Sequence, residues 1–375
     1  MRRISGSILF LGLKLIVGAL GTAVLASVSI AHHSPFVHYE SRDLKEVEGV
    51  VVGFEWRNPH TRFDVKEVSA DGTVTLWNME YSPPAILLRQ GVTKDRFNVG
   101  TKLKFAGYKA KDSNTMFITN ILFPDGTENY NDEYAPPRWT AGAADKKIGE
   151  ALPDYQQRKI AEGGKANTDG IFRVWANDFN DRVPNKLFAS AGKLPLTDYA
   201  QQVKAKWDSV NDNPFIFCKS GMPAAMDQVH PMEFVRMGDD IRIKVEEYDV
   251  VRTIHMKGAA PPKSKKSGPY GYSLGHWEGD TLVIVTTNID YPWFDKYGTP
   301  QSPDLQLVER FSLNADQTRL DYTVTATDPK VFTAPVLMKR QWLWVPGEVV
   351  KPYNCKFNKS DLGVAAAKSG EAVKQ

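Results

Sequence analysis

Residues 319–327 read RLDYTVTAT, and this stretch shows the pattern that decides the fold. Leu320 and Val324 share one face of an extended chain, and threonines occupy the other face. Alternation with a period of two is typical of a β-strand that buries one face. Similar stretches recur between Met232 and Val345, separated by short turns rich in Gly, Asp and Asn. This half of the chain is therefore predicted to form an antiparallel meander of about eight strands, closed as a barrel or folded as a sandwich.

A smaller set of strands precedes this region. The alternation predicts strands at residues 44–55, 61–68, 73–80, 102–108 and 116–123. A short helix is expected between the third and fourth strands, with Ser82 as its cap, Pro83 in its first position and Gly91 at its end. Three strands, a short helix and two strands fit a small five-stranded barrel of the oligonucleotide/oligosaccharide-binding (OB) type.

The fold class is therefore mainly β, with a small OB-like five-stranded barrel followed by a larger antiparallel barrel or sandwich. We expect a signal peptide at 1–31, the small barrel at 32–125, and a linker at 126–170 with a partial helix around 155–161. The larger domain is expected at 171–356. The polar tail at 357–375 is expected to be disordered.

Composition narrows the functional classes. The chain has 375 residues, of which 42% are hydrophobic and 24% are charged, so it can bury a large core without staples. The net charge is +3, but Arg2, Arg3 and Lys14 lie in the first 31 residues, which contain no acidic residue. The remainder is formally neutral. Because nucleic-acid binding needs a concentrated basic face, this balance argues against a nucleic-acid partner.

The N-terminus has the features of an export signal. Arg2 and Arg3 precede an apolar stretch at residues 8–30, and Ser29-Ile30-Ala31 matches the small-x-small cleavage pattern. We expect cleavage after Ala31, a periplasmic or secreted protein, and no stable membrane span after cleavage. The alternative is an uncleaved anchor, because the stretch is just long enough to cross a bilayer.

The chain has two cysteines, Cys218 and Cys355. In an oxidising compartment they are expected to form a disulfide. A Cys218 nucleophile with His230 as its base is the less favoured alternative.

Four of the seven histidines fall in the first 29 residues after the expected cleavage site. Cleavage after Ala31 would leave His32 as the first residue, followed by His33. The free α-amine and neutral imidazoles suit Cu(II), Ni(II) or Zn(II), and His60 would supply a further nitrogen. We therefore predict a copper or zinc site at His32, His33 and His60. The alternative is a frayed terminus, with His60 in a turn after Pro59.

Two charged residues lie in the apolar phase of their strands. Glu309 alternates with Leu307 and Phe311, and Arg252 alternates with Val250 and Ile254. If these phases point inward, both charges are buried, which is costly unless they pair with each other or with a polar ligand. The alternative phase of the Glu309 strand puts Val308 inside and Glu309 in solvent.

The aromatic-rich loop at 289–295 contains Asp290 and Trp293. Such a loop can cap a barrel mouth and hold a small, partly apolar molecule. The alternative is a packed loop that plugs the end of the barrel.

Two sets of motifs resemble exported bacterial proteins of unknown function. Ala-His-His-Ser at 31–34, Trp-x-Asn-Pro-His at 56–60 and Ser-Pro-Pro at 82–84 resemble a family with a small barrel-like domain, over residues 31–125. Segments between 171 and 356, among them Trp-Glu-Gly-Asp-Thr-Leu-Val at 277–283, resemble other uncharacterised exported β-rich proteins. Relatives of the second set often carry histidine where this chain has Tyr272 and Gln301, which makes Tyr272 a candidate ligand-binding position. The resemblance implies a fold and a location but no reaction.

Three functional interpretations follow. The first is an exported binding protein for a metal ion, a small molecule or both, with Arg252 and Glu309 as polar anchors. The second is an isomerase, lyase or hydrolase that uses Glu309 or Asp290 as general base and Arg252 to stabilise negative charge. The third is a structural envelope protein with a solid second barrel. The sequence contains no Gly-x-Ser-x-Gly, phosphate-binding loop or His-Glu-x-x-His motif.

Overall fold

The computed structural model describes residues 39–110, 113–130, 135–143, 152–162, 169–177, 186–208, 212–258 and 267–355. The expected signal peptide, the expected C-terminal tail, His32 and His33 lie outside the described residues. Both barrels belong to the same compact unit.

Five strands form the first barrel, as the alternation predicts. They are β1 (Tyr39–Glu55), β2 (Thr61–Val68), β3 (Val74–Tyr81), β4 (Lys102–Ala110) and β5 (Thr115–Leu122). The strands follow the order β3-β2-β1-β4-β5, and a parallel pairing of β3 with β5 closes the barrel. A short sixth strand, β6 (Glu128–Tyr130), pairs with β5 and was not expected from the sequence. Aromatic and aliphatic residues from every barrel strand fill the core.

Helix α1 (Pro84–Arg89) lies between β3 and β4. The prediction that Ser82 caps it is wrong. The helix begins at Pro84, Pro83 is the residue before it, and no side chain caps it. Ser82 lies one residue too early, and its carbonyl accepts a hydrogen bond from the Thr61 hydroxyl at 2.9 Å. Gly91 follows the helix with a φ of +76°, as expected for a residue that ends a helix.

Nine strands form the second barrel, which is closed rather than folded as a sandwich. They are β7 (Val174–Asn177), β8 (Met232–Met237), β9 (Asp240–Val245), β10 (Val250–His255), β11 (Tyr272–Glu278), β12 (Thr281–Thr287), β13 (Gln306–Leu313), β14 (Arg319–Thr327) and β15 (Val336–Trp344). The unexpected strand is β7, which bridges β15 and β8. Eight of the nine neighbouring pairs are antiparallel. The exception is β10 with β11, where Ile254 pairs with Ser273 in parallel.

Large side chains fill the interior of this second barrel, as far as the structure describes it. Phe311 packs against Phe234 and Tyr322, with ring centroids 5.2 Å and 4.7 Å apart. Trp342 and Trp175 are also buried. Leu320, Tyr322, Val324 and Ala326 are each at most 1% exposed, which confirms the inward phase of β14. The second barrel is therefore a packed core.

The helices are short and lie in the connections between strands. Besides α1, they are α2 (Leu152–Ala161), within the expected linker, and α3 (Asp198–Lys204). Single 3₁₀ turns occur at Lys94–Phe97, Ala189–Ala191, Pro214–Phe217, Ala224–Met226 and Glu247–Asp249. Among the described residues, no helix is long and apolar enough to cross a membrane.

A disulfide and a buried carboxylate hold the connecting segments in place. Cys218 and Cys355 form the predicted disulfide, with their Cα atoms 5.8 Å apart. The fully buried Glu128 carboxylate in β6 accepts hydrogen bonds from the backbone N–H groups of Arg138, Trp139 and Thr140, at 2.9–3.0 Å. It also accepts from the Thr140 hydroxyl and the Asn120 amide. Glu128 therefore holds the start of the linker on the first barrel.

Candidate functional site

The centre of the second barrel contains a buried ion pair between Arg252 and Glu309. The two guanidinium Nη atoms donate to the two carboxylate oxygens, at 3.1 Å and 2.6 Å. Arg252 is 2% exposed and Glu309 is fully buried. Strands β10 and β13 place both side chains inward because each alternates with buried apolar residues. Of the placements that the sequence left open, the structure therefore shows the inward one, with the two charges paired.

Neighbouring strands complete the hydrogen bonding of the carboxylate. Tyr322 in β14 donates to Glu309 at 2.9 Å, and Thr286 in β12 donates at 3.1 Å. Ser273 in β11 lies 2.9 Å from the Thr286 hydroxyl and accepts a bond from Arg252 at 3.3 Å. Five consecutive strands thus each contribute one polar side chain to a single network.

Two groups of the network, Arg252 and Tyr322, have raised pKa values. Burial lowers the pKa of Arg252, but the adjacent Glu309 carboxylate outweighs this effect, so the pKa lies above its ordinary value. Burial and the Glu309 charge raise the pKa of Tyr322 well above 10. Tyr322 therefore remains a hydrogen-bond donor at every physiological pH. Among the described residues, Arg252 Nε has no hydrogen-bond partner.

The other residues proposed for the second barrel do not share this interior. Asp290 is exposed. Trp293 is half-buried and meets Trp207 edge-on at 6.3 Å. Tyr272 precedes the inward Ser273, so it points to the other face of β11, where it stacks on His255 at 4.8 Å.

The aromatic loop packs against the protein. Phe294 is fully buried and contacts Phe188 and Phe332, with ring centroids 5.6 Å and 4.8 Å away. The Asp295 carboxylate is also buried and accepts bonds from the backbone N–H groups of Tyr297 and Thr299. In this structure the loop is a packed segment rather than an open mouth.

His60 is the one predicted metal ligand within the described residues. It lies just before β2, after Pro59, which follows a cis peptide bond. Its Nδ1 lies 3.0 Å from the carbonyl oxygen of Tyr81. Because a carbonyl can only accept, Nδ1 carries the proton, and the lone pair of the half-buried imidazole is on Nε2. Phe117 packs edge-on against the ring at 6.3 Å.

Among the described residues, no group of three or more His, Cys, Asp or Glu side chains is arranged to hold a metal ion. His32, His33 and His38 lie outside the described residues, so this absence does not extend to a site formed by them with His60. Cys218 is part of the disulfide and is not a free nucleophile.

Two residues from the motif segments of the first barrel contact the second barrel. Asn58 donates to the Glu246 carboxylate at 2.9 Å and to the carbonyl of Pro352 at 3.3 Å. Arg89, at the end of α1, donates to the carbonyl of Asn177 at 3.2 Å and lies 3.4 Å from the Glu348 carboxylate. Sequence reasoning missed these roles because the partners are remote in the chain.

Sequence reasoning considered His230 only as a base for Cys218. The structure places its Nδ1 3.0 Å from the Glu247 carboxylate, with the imidazole 3% exposed. Nothing local in the sequence distinguishes this histidine from an ordinary loop residue.

Comparison with known protein families gave a match over the region of the first barrel. Residues 21–119 match the model of a family of unknown function (DUF6152). This match covers about a quarter of the chain and includes Asn58, His60 and Arg89. No curated protein and no solved structure matches the chain.

Proposed function

We propose that this protein is exported and binds one copper or zinc ion through the first residues of the mature chain and His60. The second barrel is the scaffold in this proposal. The observation that carries it is the hydrogen bond from His60 Nδ1 to the Tyr81 carbonyl, which leaves Nε2 as the coordinating atom. Metal-binding histidines usually donate their other ring N–H to a carbonyl or carboxylate, which fixes the ring and its tautomer.

The chain topology supports a meeting of the N-terminus with His60. His60 contacts Phe117, and Phe117 pairs with Tyr108 across β4 and β5. Tyr108 in turn pairs with Leu44, near the start of β1. The first barrel thus brings the beginning of β1 to the surface that carries His60.

The chain before β1 is long enough to reach this surface. His33 precedes Tyr39 by six residues, and six extended residues span about 20 Å. The α-amine of His32, its imidazole and that of His33 would then join Nε2 of His60. Neutral nitrogen ligands of this kind suit both Cu(II) and Zn(II), and Cu(II) binds such sites more tightly than the other divalent first-row ions.

Export and barrel type belong to the same proposal. The signal-like N-terminus and the Cys218–Cys355 disulfide both support a periplasmic or secreted location. The strand order, the parallel β3–β5 closure and the helix between β3 and β4 support an OB-type first barrel. A shared architecture does not name a ligand.

The packed second barrel favours the role of scaffold. The Glu309 carboxylate is bonded to three side chains and is fully buried, so it has no open route to a substrate in this conformation. A small-molecule site or a general base in this interior would require the core to open. No specific observation favours that second function.

Copper titration of the mature protein tests the proposal. His60→Ala should weaken Cu(II) binding by at least the roughly 10–100-fold that loss of a supporting partner costs at a metal site. His276→Ala is the matched control, because His276 is an exposed histidine of the second barrel that contacts Glu278. Equal Cu(II) affinity in the His60 variant and the control would refute the site.

A further inference from the structure

A second group of soft ligands meets inside the larger barrel. His230, Met226 and Met232 border one internal void, together with Ala225, Gln228, Val245 and Trp342. The three potential ligands are each at most 3% exposed. The void is too small to admit a water molecule.

The orientation of His230 leaves one nitrogen without a partner. Nδ1 lies 3.0 Å from the Glu247 carboxylate, so it donates its proton there. Nε2 is buried and has no hydrogen-bond partner among the described residues. Tyr353 packs edge-on against the ring at 5.1 Å and helps to hold it. Because the two ring nitrogens point in different directions, Nε2 does not face Glu247, and His230 is one of the residues that border the void.

The candidate ligand atoms of these three residues are all hydrogen-bond acceptors. Nε2 offers a lone pair, and each methionine sulfur is a weak acceptor. Arg252 donates one N–H to Met226 Sδ at 3.5 Å, which leaves a second lone pair on that sulfur. A buried acceptor without a partner is unfavourable, and a bound ion is one of the recognised explanations for such an atom.

We propose that His230, Met226 and Met232 form a buried Cu(I) site. Thioether sulfur and imidazole nitrogen are ligands that select Cu(I), and hard cations prefer oxygen. A bare Cu(I) ion is smaller than water, so a void that excludes water can still accept it. Glu247 acts as the outer carboxylate that orients the imidazole, as in other metal–histidine–carboxylate arrangements. The charge of Arg252 does not oppose the ion strongly, because Glu309 neutralises it.

This site is independent of the site proposed at the N-terminus. Its test therefore uses the full mature chain with the His60→Ala change, which weakens copper binding at the first barrel. Ascorbate keeps copper as Cu(I) and does not reduce a protein disulfide efficiently. The probe is Cu(I) alone, in competition with a chromophoric Cu(I) chelator.

One Cu(I) per chain is expected in this background. Met226→Leu and Met232→Leu should each weaken Cu(I) binding by about tenfold or more, and Glu247→Gln by about 10–100-fold. Met79→Leu is the matched control, because Met79 is equally buried but lies in the first barrel. Binding that is unchanged in both methionine variants relative to this control would overturn the site.

X-ray absorption of the bound copper keeps the proposal testable if a variant fails to fold. The His60→Ala protein should show sulfur as well as nitrogen scattering around the copper. Copper surrounded only by nitrogen and oxygen, or a protein that binds no Cu(I), would overturn the proposal.

Discussion

Asn58 of the first barrel donates a hydrogen bond to Glu246 of the second barrel across 2.9 Å, although 188 residues separate them in the chain. Asn58 lies two residues before His60, in the Trp-x-Asn-Pro-His segment. The segment that carries the proposed metal ligand is therefore also a joint between the barrels. Glu246 is 1% exposed and additionally accepts the backbone N–H of Lys351.

Asn58→Ala should weaken this joint. The change leaves one oxygen of a buried carboxylate without a donor, which costs about 1–3 kcal/mol. We expect a fall of that size in the free energy of unfolding, measured with urea, and faster proteolysis between the barrels. Asn98→Ala is the control, since Asn98 is exposed and its side-chain amide donates to the nearby Asp95 carbonyl. Equal stability of the two variants would mean that Asn58 does not join the barrels.

Glu309→Gln should destabilise the protein strongly. The variant keeps the shape of the side chain but leaves the buried Arg252 charge without its counter-ion. Breaking a buried ion pair in this way costs about 3–5 kcal/mol. The measurement is equilibrium unfolding in urea. The double variant Arg252→Met/Glu309→Leu should recover much of the loss, because it removes both charges. A loss below about 1 kcal/mol for Glu309→Gln would show that Arg252 is solvated.

Glu128 should give the protein a specific sensitivity to acid. Burial alone raises the pKa of its carboxylate, but the hydrogen bonds from Arg138, Asn120, Thr140 and Trp139 outweigh it and hold the pKa below the ordinary value of 4.5. The folded state therefore binds this proton less readily than the unfolded state. The contribution of the carboxylate is full above about pH 4.5 and is lost as the pH falls through the folded pKa.

Glu128→Gln isolates this contribution. At pH 7 the variant should be about 1–3 kcal/mol less stable, since the carboxylate accepts several buried donors. The gap should narrow as the pH falls below about 4. Urea unfolding across this pH range measures both effects, and Glu55→Gln is the exposed control, with an expected change within about 0.5 kcal/mol. A gap that is constant with pH would contradict the account.

The disulfide should stabilise the C-terminal segment between the barrels. It closes 137 residues, and removal of a native disulfide costs about 2–5 kcal/mol. The double variant Cys218→Ser/Cys355→Ser should lose stability by this amount. Its C-terminal segment should also be cleaved faster by protease, because it would lose its covalent anchor and keep only noncovalent contacts, such as the hydrogen bond from Tyr353 N–H to Asp249 and the packing of Tyr353 against His230. Unchanged stability and cleavage would show that the bond is dispensable.

Local sequence patterns predicted most of the fold. The period-two alternation located most strands because each barrel buries one face of every strand. It missed β6 and β7, which have three and four residues and are too short to show a period. The parallel pairing of β10 with β11 was missed as well, because the intervening connection contains no signal for strand direction.

The candidate site was also predicted only where local strand patterns reveal it. The phases of β10 and β13 were sufficient to suggest that Arg252 and Glu309 face each other inside the barrel. The partners of Asn58 and Arg89 were not accessible to sequence reasoning, since each lies at least 88 residues away. His230 was missed as a candidate ligand because its methionine neighbours meet it only through the closure of the barrel.

The intact mass of the protein, purified from a bacterial host that expresses the full chain and measured under denaturing and then native conditions, tests the central claim most directly. The account predicts a denatured mass for a chain that begins at His32 with two hydrogens missing at the disulfide. It predicts a native mass larger by at least one copper or zinc ion, with one ion lost in the His60→Ala variant. A chain that begins elsewhere, or that carries no metal after exposure to copper, would contradict the account.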